Sequence, residues 1–366
     1  MKKSITIIFA YRNRDLHRIK ISMDSLGEQT NKHFQVIFVD YGSSDVFSGP
    51  VKKLINSYPF AQYYYIAHKG LLWNKSKAFN YGILKAETDF ILTADVDLIF
   101  NPETIAIIEK LVDASTFTLF NYGYLPKKTT SEIEKTKSFA ELKPSHFGNI
   151  NGVGLYPLRA LKEVRGYDEF FHFYGSEDED LYVRLQNAGY PVKRDARTLF
   201  LHQWHPRYPG KKEMELTIQP RLNNVLRINQ QHYFRSITSK KVIPFNQKDW
   251  GNCFENEDLN VLQNPTLQFM VTNIASSVVH FLNEHLPSCK GEIVAIDFIE
   301  DPKSLSLKNR IKRTLGKKEQ PILTLKEIND LVLEKIIFDY RHFNYCFKIS
   351  EDLKKISFTI DLKSRP

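Results

Sequence analysis

The sequence predicts an α/β fold built around a mostly parallel central sheet. Short apolar runs typical of buried strands alternate with segments whose apolar residues recur at helical spacing, and this alternation is typical of βαβ units. Polar residues follow several of the strand-like runs directly, at the positions where such sheets bind ligands. The predicted strands are Ile5–Phe9, Gln35–Asp40, Ala61–Ala67 and Phe90–Ala94, and the predicted helices are Leu16–Leu26 and Asn74–Lys85.

Two polar segments come after the first two predicted strands. Tyr11–Asp15 should form a loop, and Tyr41–Asp45 carries the Gly, Ser and Asp residues typical of a turn or a helix start. Arg12, Asp40 and Asp95 each fall at the end of a predicted strand or just after one. Because the carboxyl ends of parallel strands meet at one edge of a sheet, sequence order predicts that these three side chains converge.

Length and composition predict two regions. A chain of 366 residues suits one large domain or two ordinary ones, and a hydrophobic fraction of 42% supports a packed core. We expect a first domain at residues 1–225, which contains every polar motif discussed below, and a smaller mixed α/β region of unknown role at residues 226–366. In the first domain residues 125–147 have the composition of a mobile loop, and in the second Leu325–Tyr340 has the spacing of an amphipathic helix.

The chain is basic, with a formal net charge of +9. This charge is consistent with an anionic partner such as a nucleotide, a phospholipid surface or an acidic glycan, and equally with solubility alone. No nucleic-acid recognition motif accompanies it, so we expect no nucleic-acid partner. The most basic segment, Lys308–Lys318, fits a solvated face better than a membrane or glycan patch.

Cysteine usage and hydropathy indicate the compartment. Cys253, Cys289 and Cys346 lie far apart with no CxxC pair, so neither a disulfide framework nor a zinc–thiolate site is expected. The apolar stretch that begins near the N-terminus is too short for a signal peptide core or a membrane span, and no run of 18 apolar residues occurs. We therefore expect a cytoplasmic protein whose membrane contact, if it has one, is peripheral at the inner face.

Two carboxylates follow the predicted strand Phe90–Ala94, in the triplet Asp95-Val96-Asp97. Carboxylates at positions i and i+2 of a strand end can reach one hard divalent cation, and Mg²⁺ or Mn²⁺ favours oxygen ligands and completes its shell with phosphate oxygens. Such a cation would neutralise a diphosphate leaving group. The triplet alone also fits two exposed turn carboxylates, so the strand before it is what favours a metal site.

Glu177–Asp180 is a run of four acidic residues at the start of a segment with helical spacing. Carboxylates interact favourably with a helix N-terminus, so an ordinary acidic first turn would explain them. Four adjacent acids repel one another unless a cation is near, however, and an Asp here could act as the general base for an attacking hydroxyl. Farther on, His202 and His205 add two imidazoles, which are common ligands for borderline metals and also common in ordinary folds.

Two N-terminal segments resemble nucleotide-binding segments of known glycosyltransferases. Asp40–Asp45, Asp-Tyr-Gly-Ser-Ser-Asp, resembles the Asp-Asp-Gly-Ser-x-Asp segment of glycosyltransferase family 2, with Tyr41 where that family often has a second Asp. Ala10–Arg14, Ala-Tyr-Arg-Asn-Arg, resembles the Pro-Phe-Arg-Asn-Arg segment of the β-1,4-galactosyltransferases. Trp73–Asn80 resembles the segment that shapes the donor side in both families.

A later block strengthens the resemblance. Asn151–Gly154, Arg165–Glu169 and Tyr174–Asp178 together resemble the galactosyltransferase block in which Gly-Phe-Asp/Asn precedes Gly-Trp-Gly-x-Glu-Asp. Tyr174 replaces the usual tryptophan, which leaves open how the acceptor stacks. The chondroitin-polymerase-type N-acetylgalactosaminyltransferases share the arrangement. The resemblance covers about residues 4–210 and implies the GT-A fold of the nucleotide-diphospho-sugar transferases.

The resemblance implies roles for the donor and metal residues. Asp40 would hydrogen-bond the uracil, and Arg12 and Arg14 would lie near the nucleotide and its phosphates. The implied nucleotide-binding residues are Ala10, Tyr11, Arg12, Arg14, Asp40, Trp73, Lys77, Asp95 and Val96. The implied ligands of a Mn²⁺ (or Mg²⁺) ion are Asp97, His202 and Asp95, with His205 in reserve, because similar families place a histidine about 25 residues beyond the Glu of the acidic block.

On the acceptor side, Asp178 matches the catalytic base of these families, and Glu177 would assist it by binding acceptor hydroxyls. Tyr174 and Gly152 complete the implied acceptor site. The implied function is an inverting glycosyltransferase that moves a hexose or N-acetylhexosamine from a UDP-sugar to a saccharide or lipid-linked saccharide acceptor. Bacterial surface polysaccharide synthesis is the expected setting.

Two other classes of protein remain open. A non-catalytic nucleotide-sugar-binding partner module of a polysaccharide-synthesis complex would keep the fold, but it should have lost the base, and Glu177-Asp178 is intact. A nucleotidylyltransferase would also have a parallel sheet and metal-binding carboxylates. That class usually has a Gly-rich phosphate loop with a Lys near the N-terminus, whereas Tyr11–Arg14 contains no glycine.

Overall fold

The computed structural model describes residues 5–133, 138–148, 152–206, 213–245, 249–254, 256–302 and 320–363. Their contacts form two compact units, residues 1–67, 73–207 and 226–253 in the first and residues 68–72, 208–225 and 254–366 in the second. The helix Val225–Ser239 thus lies almost wholly in the first unit, whereas the sequence led us to place the boundary at 225/226. The division into two domains stays a prediction.

The first unit alternates strands and helices in the predicted order, and each predicted strand and helix is present. Its elements are β1 Ile5–Tyr11, α1 Leu16–Gly27, β2 Phe34–Tyr41, α2 Asp45–Ile55, β3 Ala61–Ile66, α3 Lys75–Lys85, β4 Phe90–Ala94, β5 Leu98–Phe100, α4 Thr104–Glu109, β6 Phe117–Tyr124, α5 Lys127–Ser131, β7 His146–Phe147, β8 Gly154–Pro157, α6 Leu158–Glu163, α7 Glu177–Asn187, β9 Val192–His202 and α8 Val225–Ser239.

These strands form one sheet of nine strands among the described residues, in the order β3-β2-β1-β4-β8-β6-β9-β5, with β7 paired to β6. The pairs β3–β2, β2–β1, β1–β4 and β6–β9 are parallel, and the remaining pairs are antiparallel. The predicted α/β class, with strands and helices alternating around a central sheet, is confirmed. Because β1 lies between β2 and β4 and is parallel to both, the segments after these three strands share one edge.

Apolar strands explain why this sheet forms the core. β1 is buried along nearly its whole length, as a strand covered on both faces should be. Phe9 on β1 packs against Phe38 on β2 and Phe100 on β5, with ring centroids 6.1 and 6.3 Å apart. The core therefore fixes the strand ends that carry the polar motifs.

The second unit has its own, smaller sheet. Its elements are α9 Asn256–Val261, β10 Leu267–Thr272, α10 Ala275–His280, α11 Leu286–Ser288, β11 Ile293–Ile299, α12 Leu325–Lys335, β12 Tyr345–Ile349 and β13 Lys355–Asp361. The strand order is β10-β11-β13-β12, with only β10–β11 parallel among the described strands, so this unit is mixed α/β as predicted. Across the described part of the chain, no helix combines the length and apolar character that crossing a bilayer requires.

Two sequence-based expectations need comment. Residues 125–147 are not loop throughout, since α5, a short 3₁₀ turn at Phe139–Glu141 and β7 lie within them. β7 forms because it pairs with the end of β6. The predicted helix Leu325–Tyr340 is confirmed as α12 followed by a π-helical turn, and a capping box at Thr324 starts it. The basic segment Lys308–Lys318 lies outside the described residues.

A buried ion pair anchors α7, the helix that carries the acidic block. Asp180 accepts a 2.6 Å hydrogen bond from Arg184 Nε, and both side chains are almost completely buried. Arg184 also donates to the carbonyl oxygen of Val164. A charged pair at this depth is held by its mutual contacts, and removal of one member leaves the other uncompensated.

We therefore predict that Arg184→Met lowers the free energy of unfolding by about 3–5 kcal/mol, the cost of an unpaired buried carboxylate. Urea unfolding followed by circular dichroism measures this change. Lys20→Met is the matched control, because Lys20 pairs with Asp24 on the exposed surface of α1 and such pairs contribute less than about 1 kcal/mol. Equal losses in the two variants would contradict the anchoring role of Arg184.

Candidate active site

The turn between β4 and β5 brings Asp97 to the two histidines. β5 pairs with β9 in antiparallel register, with Leu98 opposite His202, so the residue before Leu98 lies beside the end of β9. Asp97 Oδ1 is 3.5 Å from His202 Nε2, and Asp97 Oδ2 is 3.3 Å from His205 Nε2. One ligand atom from each of the three residues lies within 4.8 Å of the others.

This trio fits a divalent cation. His205 Nδ1 lies 2.9 Å from the carbonyl oxygen of Pro206, which can only accept, so this nitrogen carries the proton and Nε2 offers a lone pair. Burial lowers the pKa of His205 below its usual value and so favours the neutral ring. A lone pair facing a carboxylate oxygen of Asp97 is unfavourable unless a cation lies between them. One carboxylate and two imidazoles suit Mn²⁺ better than Mg²⁺, which prefers oxygen ligands alone.

The sequence left open whether His202 or His205 is the metal ligand, and the structure brings both to Asp97. The trio does not include Asp95, whose predicted part as a ligand stays a prediction. Arg18, which the sequence reading missed, lies with its guanidinium 3.6 Å from Asp97 Oδ2. It sits one turn into α1, and nothing in the local sequence distinguishes it from an ordinary surface arginine.

A second group of carboxylates meets at Lys75, which was also missed. Lys75 Nζ lies 3.2 Å from Asp95 Oδ1, 3.6 Å from Glu177 Oε1 and 3.5 Å from Asp178 Oδ2. Burial alone would lower the pKa of Lys75, but the three carboxylates outweigh it and raise this pKa well above its ordinary value. The residue is therefore a fixed cation, and it joins the β4 turn to the N-terminus of α7.

Local hydrogen bonds put Lys75 at that point. Asn74 is the N-cap of α3, its side chain accepting from the backbone N–H of Lys77 and donating to the carbonyl oxygen of Glu169. The backbone N–H of Phe173 donates to the carbonyl oxygen of Trp73. The segment that enters α3 is thus tied to the segment that enters α7.

We call the space lined by Lys75, Asp95, Gly152 and Asp178 the cleft. Its surroundings raise the pKa of Asp178 to about 7. Burial is the largest cause, and the charges of Glu177 and Asp95 add to it, while Lys75 acts in the opposite direction. Oδ1 of Asp178 is buried and has no hydrogen-bond partner among the described residues, whereas the side chain as a whole keeps 17% of its exposure. Oδ2, which faces Lys75, is therefore the oxygen presented to the cleft.

Gly152 leaves the room that this carboxylate needs. A Cβ at this position would lie 2.7 Å from Asp178 Oδ2 and 3.2 Å from Lys75 Nζ, closer than ordinary contacts allow. The predicted acceptor residue Gly152 is thus in the same place as the predicted base. Tyr174, the other acceptor residue, is 56% exposed, and its hydroxyl lies in the electrostatic field of Glu177.

The predicted donor residues lie at the ends of β1 and β2. Asp40 is opposite Tyr11 in the parallel register, and Arg12 is close enough to lower the pKa of Asp40, which burial raises above its usual value. Both oxygens of Asp40 already accept hydrogen bonds, from the backbone N–H of Ser43 and from the hydroxyl of Tyr63. Asp40 is completely buried, so its predicted contact with a uracil would require the second lone pair of one of these oxygens.

The other predicted donor residues are not all in one place. Ala10 and Tyr11 end β1, Arg14 is near enough to Asp95 to lower its pKa, and Val96 is buried in the core beneath the β4 turn. Trp73 lies edge-on to Tyr41, with ring centroids 6.0 Å apart. Lys77 is buried near Glu169 and Cys253. Residues two apart on a helix point to different faces, so Lys77 does not share the face on which Lys75 contacts its three carboxylates.

Two tyrosines beside the histidines, Tyr122 and Tyr124, were also missed. Tyr122 stacks on His202 with ring centroids 5.4 Å apart, and Tyr124 stacks on His146 at 4.6 Å. Tyr124 also lies 5.2 Å from the His202 ring. Alternate residues of β6 point to the same face, so a Tyr-x-Tyr pattern on a strand is the signal that could have identified this wall.

Two family profiles match the chain. Residues 6–151 match glycosyl transferase family 2, and residues 138–206 match a profile described as the N-terminal domain of galactosyltransferase. The chain is therefore similar to family 2 glycosyltransferases and then to galactosyltransferases along its first 206 residues, the two likenesses that its motifs predicted. Together the two profiles cover residues 6–206, and over that part of its length the chain is similar to glycosyltransferases.

Individual relatives are distant. β-1,4-Galactosyltransferase 5 of Homo sapiens is 29% identical over 128 residues, which is 33% of this chain and 28% of the human protein. The matched segment thus spans less than a third of that relative's length. The solved structure of S. aureus TarS residues 1–349 is similar with a TM-score of 0.44 and 16% identity over 65% of each chain. The mannosyltransferase PcManGT of Pyrobaculum calidifontis, solved with GDP-Man and Mn²⁺, has a TM-score of 0.43 and 14% identity, covering 66% of this chain and 64% of that chain.

The metal trio generates a direct prediction. Asp97→Ala, His202→Ala and His205→Ala should each weaken Mn²⁺ binding by at least about tenfold, because each removes one of three protein ligands. Isothermal titration of Mn²⁺ in the presence of UDP measures the affinity. His146→Ala is the matched control, since its ring belongs to the same aromatic wall but not to the trio. Unchanged affinity in all three variants would mean that the metal binds elsewhere.

Proposed function

We propose that this protein is an inverting glycosyltransferase that moves a hexose or N-acetylhexosamine from a UDP-sugar to a saccharide or lipid-linked saccharide acceptor. The observation that carries the proposal is the setting of Asp178. The carboxyl group of Asp178 has a pKa of about 7 and presents Oδ2 to the cleft. The same active site contains a group of ligands that fits a divalent cation. A general base works best when its pKa lies near the working pH.

A divalent cation at Asp97 would make that side of the cleft suitable for a diphosphate leaving group. Mn²⁺ bound by Asp97, His202 and His205 would supply Lewis-acid neutralisation of that leaving group. Arg14 lies near enough to Asp95 to affect its pKa, so its guanidinium is available to a phosphate at the same strand edge. Glu177, beside the base, is suited to accept hydrogen bonds from acceptor hydroxyls.

The reaction that follows is a single in-line displacement. Asp178 Oδ2 takes the proton of the attacking hydroxyl as that oxygen forms a bond to the anomeric carbon of the donor. The bond from the anomeric carbon to the UDP oxygen breaks, and its electron pair leaves with the diphosphate. One displacement inverts the configuration, so an α-linked donor gives a β-linked product. Tyr174 offers an exposed ring on which the acceptor sugar could stack.

The setting that we propose is bacterial surface polysaccharide synthesis, at the inner face of the membrane. A partner module that binds the nucleotide sugar without turning it over is the other function consistent with the fold. Release of UDP from a panel of UDP-sugars, with Mn²⁺ or with EDTA and with or without acceptors, separates the two. UDP binding without any release would favour the module.

Asp178→Asn should lower transfer by at least about 10²-fold while UDP binding stays intact, because a general base contributes about that much and does not touch the nucleotide. Coupled UDP-release kinetics and UDP titration measure the two properties. Glu179→Gln is the matched control: it changes the next acidic residue of the same helical turn, which the proposed mechanism does not use. Wild-type turnover in Asp178→Asn would exclude this residue as the base.

The pH dependence should report the same group. The base is active when deprotonated, and burial raises the pKa of Asp178 to about 7, so kcat/KM for the acceptor should fall as the pH falls through about 7. Initial rates between pH 5 and 9 at saturating donor measure this limb. A limb near pH 4, the ordinary range of an exposed carboxylate, would show that a different and solvated acid is the base.

A further inference from the structure

We infer that Lys75 is a positioning residue for the reaction: it acts through Asp178, holding the Oδ2 atom of that carboxylate toward the cleft and linking it to Asp95 at the nucleotide end. This inference rests on the proposed function of Asp178 as the base. Lys75 itself need not touch the donor or the acceptor. Lys75 would set the position of Asp178 Oδ2 relative to the turn between β4 and β5, which carries Asp97.

The geometry favours this role over a merely structural one. A lysine that only balanced charge could approach its carboxylates from any side, but Nζ of Lys75 reaches the cleft-facing oxygen of Asp178 and leaves Oδ1 buried behind it. The same Nζ is at hydrogen-bond distance from Asp95 Oδ1, 3.2 Å. One ammonium group therefore spans the two sides of the cleft.

Lys75 is also held in place. It is the first residue of α3, behind the Asn74 cap, and the backbone bond between Phe173 and Trp73 joins its segment to that of the base. Gly152 leaves these two groups their positions, since a side chain there would contact both Asp178 and Lys75. A lysine side chain has four rotatable bonds, and these contacts restrict where its ammonium group can go.

Lys75 also opposes protonation of Asp178. Without an ammonium at Oδ2, Asp178 would be protonated more readily, since burial and two neighbouring acids already oppose its charge. A protonated Asp178 cannot accept the proton of a hydroxyl. The charged or titratable groups that face it are Lys75 from α3, Glu177 and Tyr182 from α7, Asp95 from the β4 turn, Tyr156 from β8 and Tyr167.

The experiment compares Lys75→Met and Lys75→Arg with Lys85→Met. Lys85 is an exposed lysine at the far end of the same helix, so its removal controls for the loss of one positive charge from α3. Three quantities are measured for each protein: kcat and KM for donor and acceptor, the pH profile of kcat/KM, and the titration of the Asp178 carboxyl carbon by ¹³C NMR. Circular dichroism and UDP titration verify folding. If Lys75→Met does not fold, Lys75→Gln takes its place.

We expect Lys75→Met to lower kcat at least about tenfold with little change in the KM for donor, and to move the acidic limb and the Asp178 titration upward by about 1–3 pH units, the usual effect of one nearby opposite charge. Lys75→Arg should restore the position of the limb, and Lys85→Met should match the wild type. A purely structural lysine would lower stability without moving the limb.

Three results would overturn the inference: an unmoved limb and titration in Lys75→Met, a loss confined to the KM for donor, or the same shift in Lys85→Met. Failure of the proposed function gives a different result, because then the wild type releases no UDP from any UDP-sugar. The titration of Asp178 still decides the effect of Lys75 on that carboxylate in that case. An unchanged titration would reject the inference, and a shifted one would retain the coupling without the reaction.

Discussion

Repulsion among carboxylates in one cleft is the constraint on which the rest of this site depends. Asp95, Glu177 and Asp178 all lie within 3.6 Å of a single ammonium group, that of Lys75. Two like charges about 4 Å apart repel by about 4 kcal/mol at the effective dielectric of a partly solvated site. Bringing three acids this close is costly unless a cation lies among them, and the fold supplies that cation as Lys75 and holds it at one point.

The fold meets this requirement with few contacts, because the parallel strands already bring their carboxyl ends together. The β1 and β4 ends lie side by side, and β5 continues from the β4 turn into a pair with β9 that places His202 beside Asp97. A cap and one backbone hydrogen bond then align the entries of α3 and α7. The hydrogen bond from Arg184 to the carbonyl oxygen of Val164, the residue after α6, ties the acidic helix to the scaffold. Scaffold and site are therefore joined at specific hydrogen bonds rather than by general packing.

The sequence was sufficient to predict the strands and helices of the first unit and most of the acidic residues of the site, because periodicity and position at a strand end are local properties. It was not sufficient to predict Lys75 and Arg18, the cations that pair with these acids. Lys75 and Lys77 look equivalent in a row of letters, and only the helical start at Asn74 decides which one faces the carboxylates. Arg18 reaches Asp97 from a helix far away in sequence. Such pairings depend on strand register and helix rotation, which a single sequence does not specify.

The same charge balance bears on how a donor would enter. Near Asp95 and Asp97 the cleft holds carboxylates that repel a diphosphate, and Lys75 is already engaged by three of its own acids. A divalent cation at Asp97 would reverse the local sign, so metal and nucleotide should each raise the affinity for the other by the same factor, as linkage requires. The cleft would therefore bind the donor well only once the cation is present, because the carboxylate that repels a free diphosphate is the one that would hold the cation.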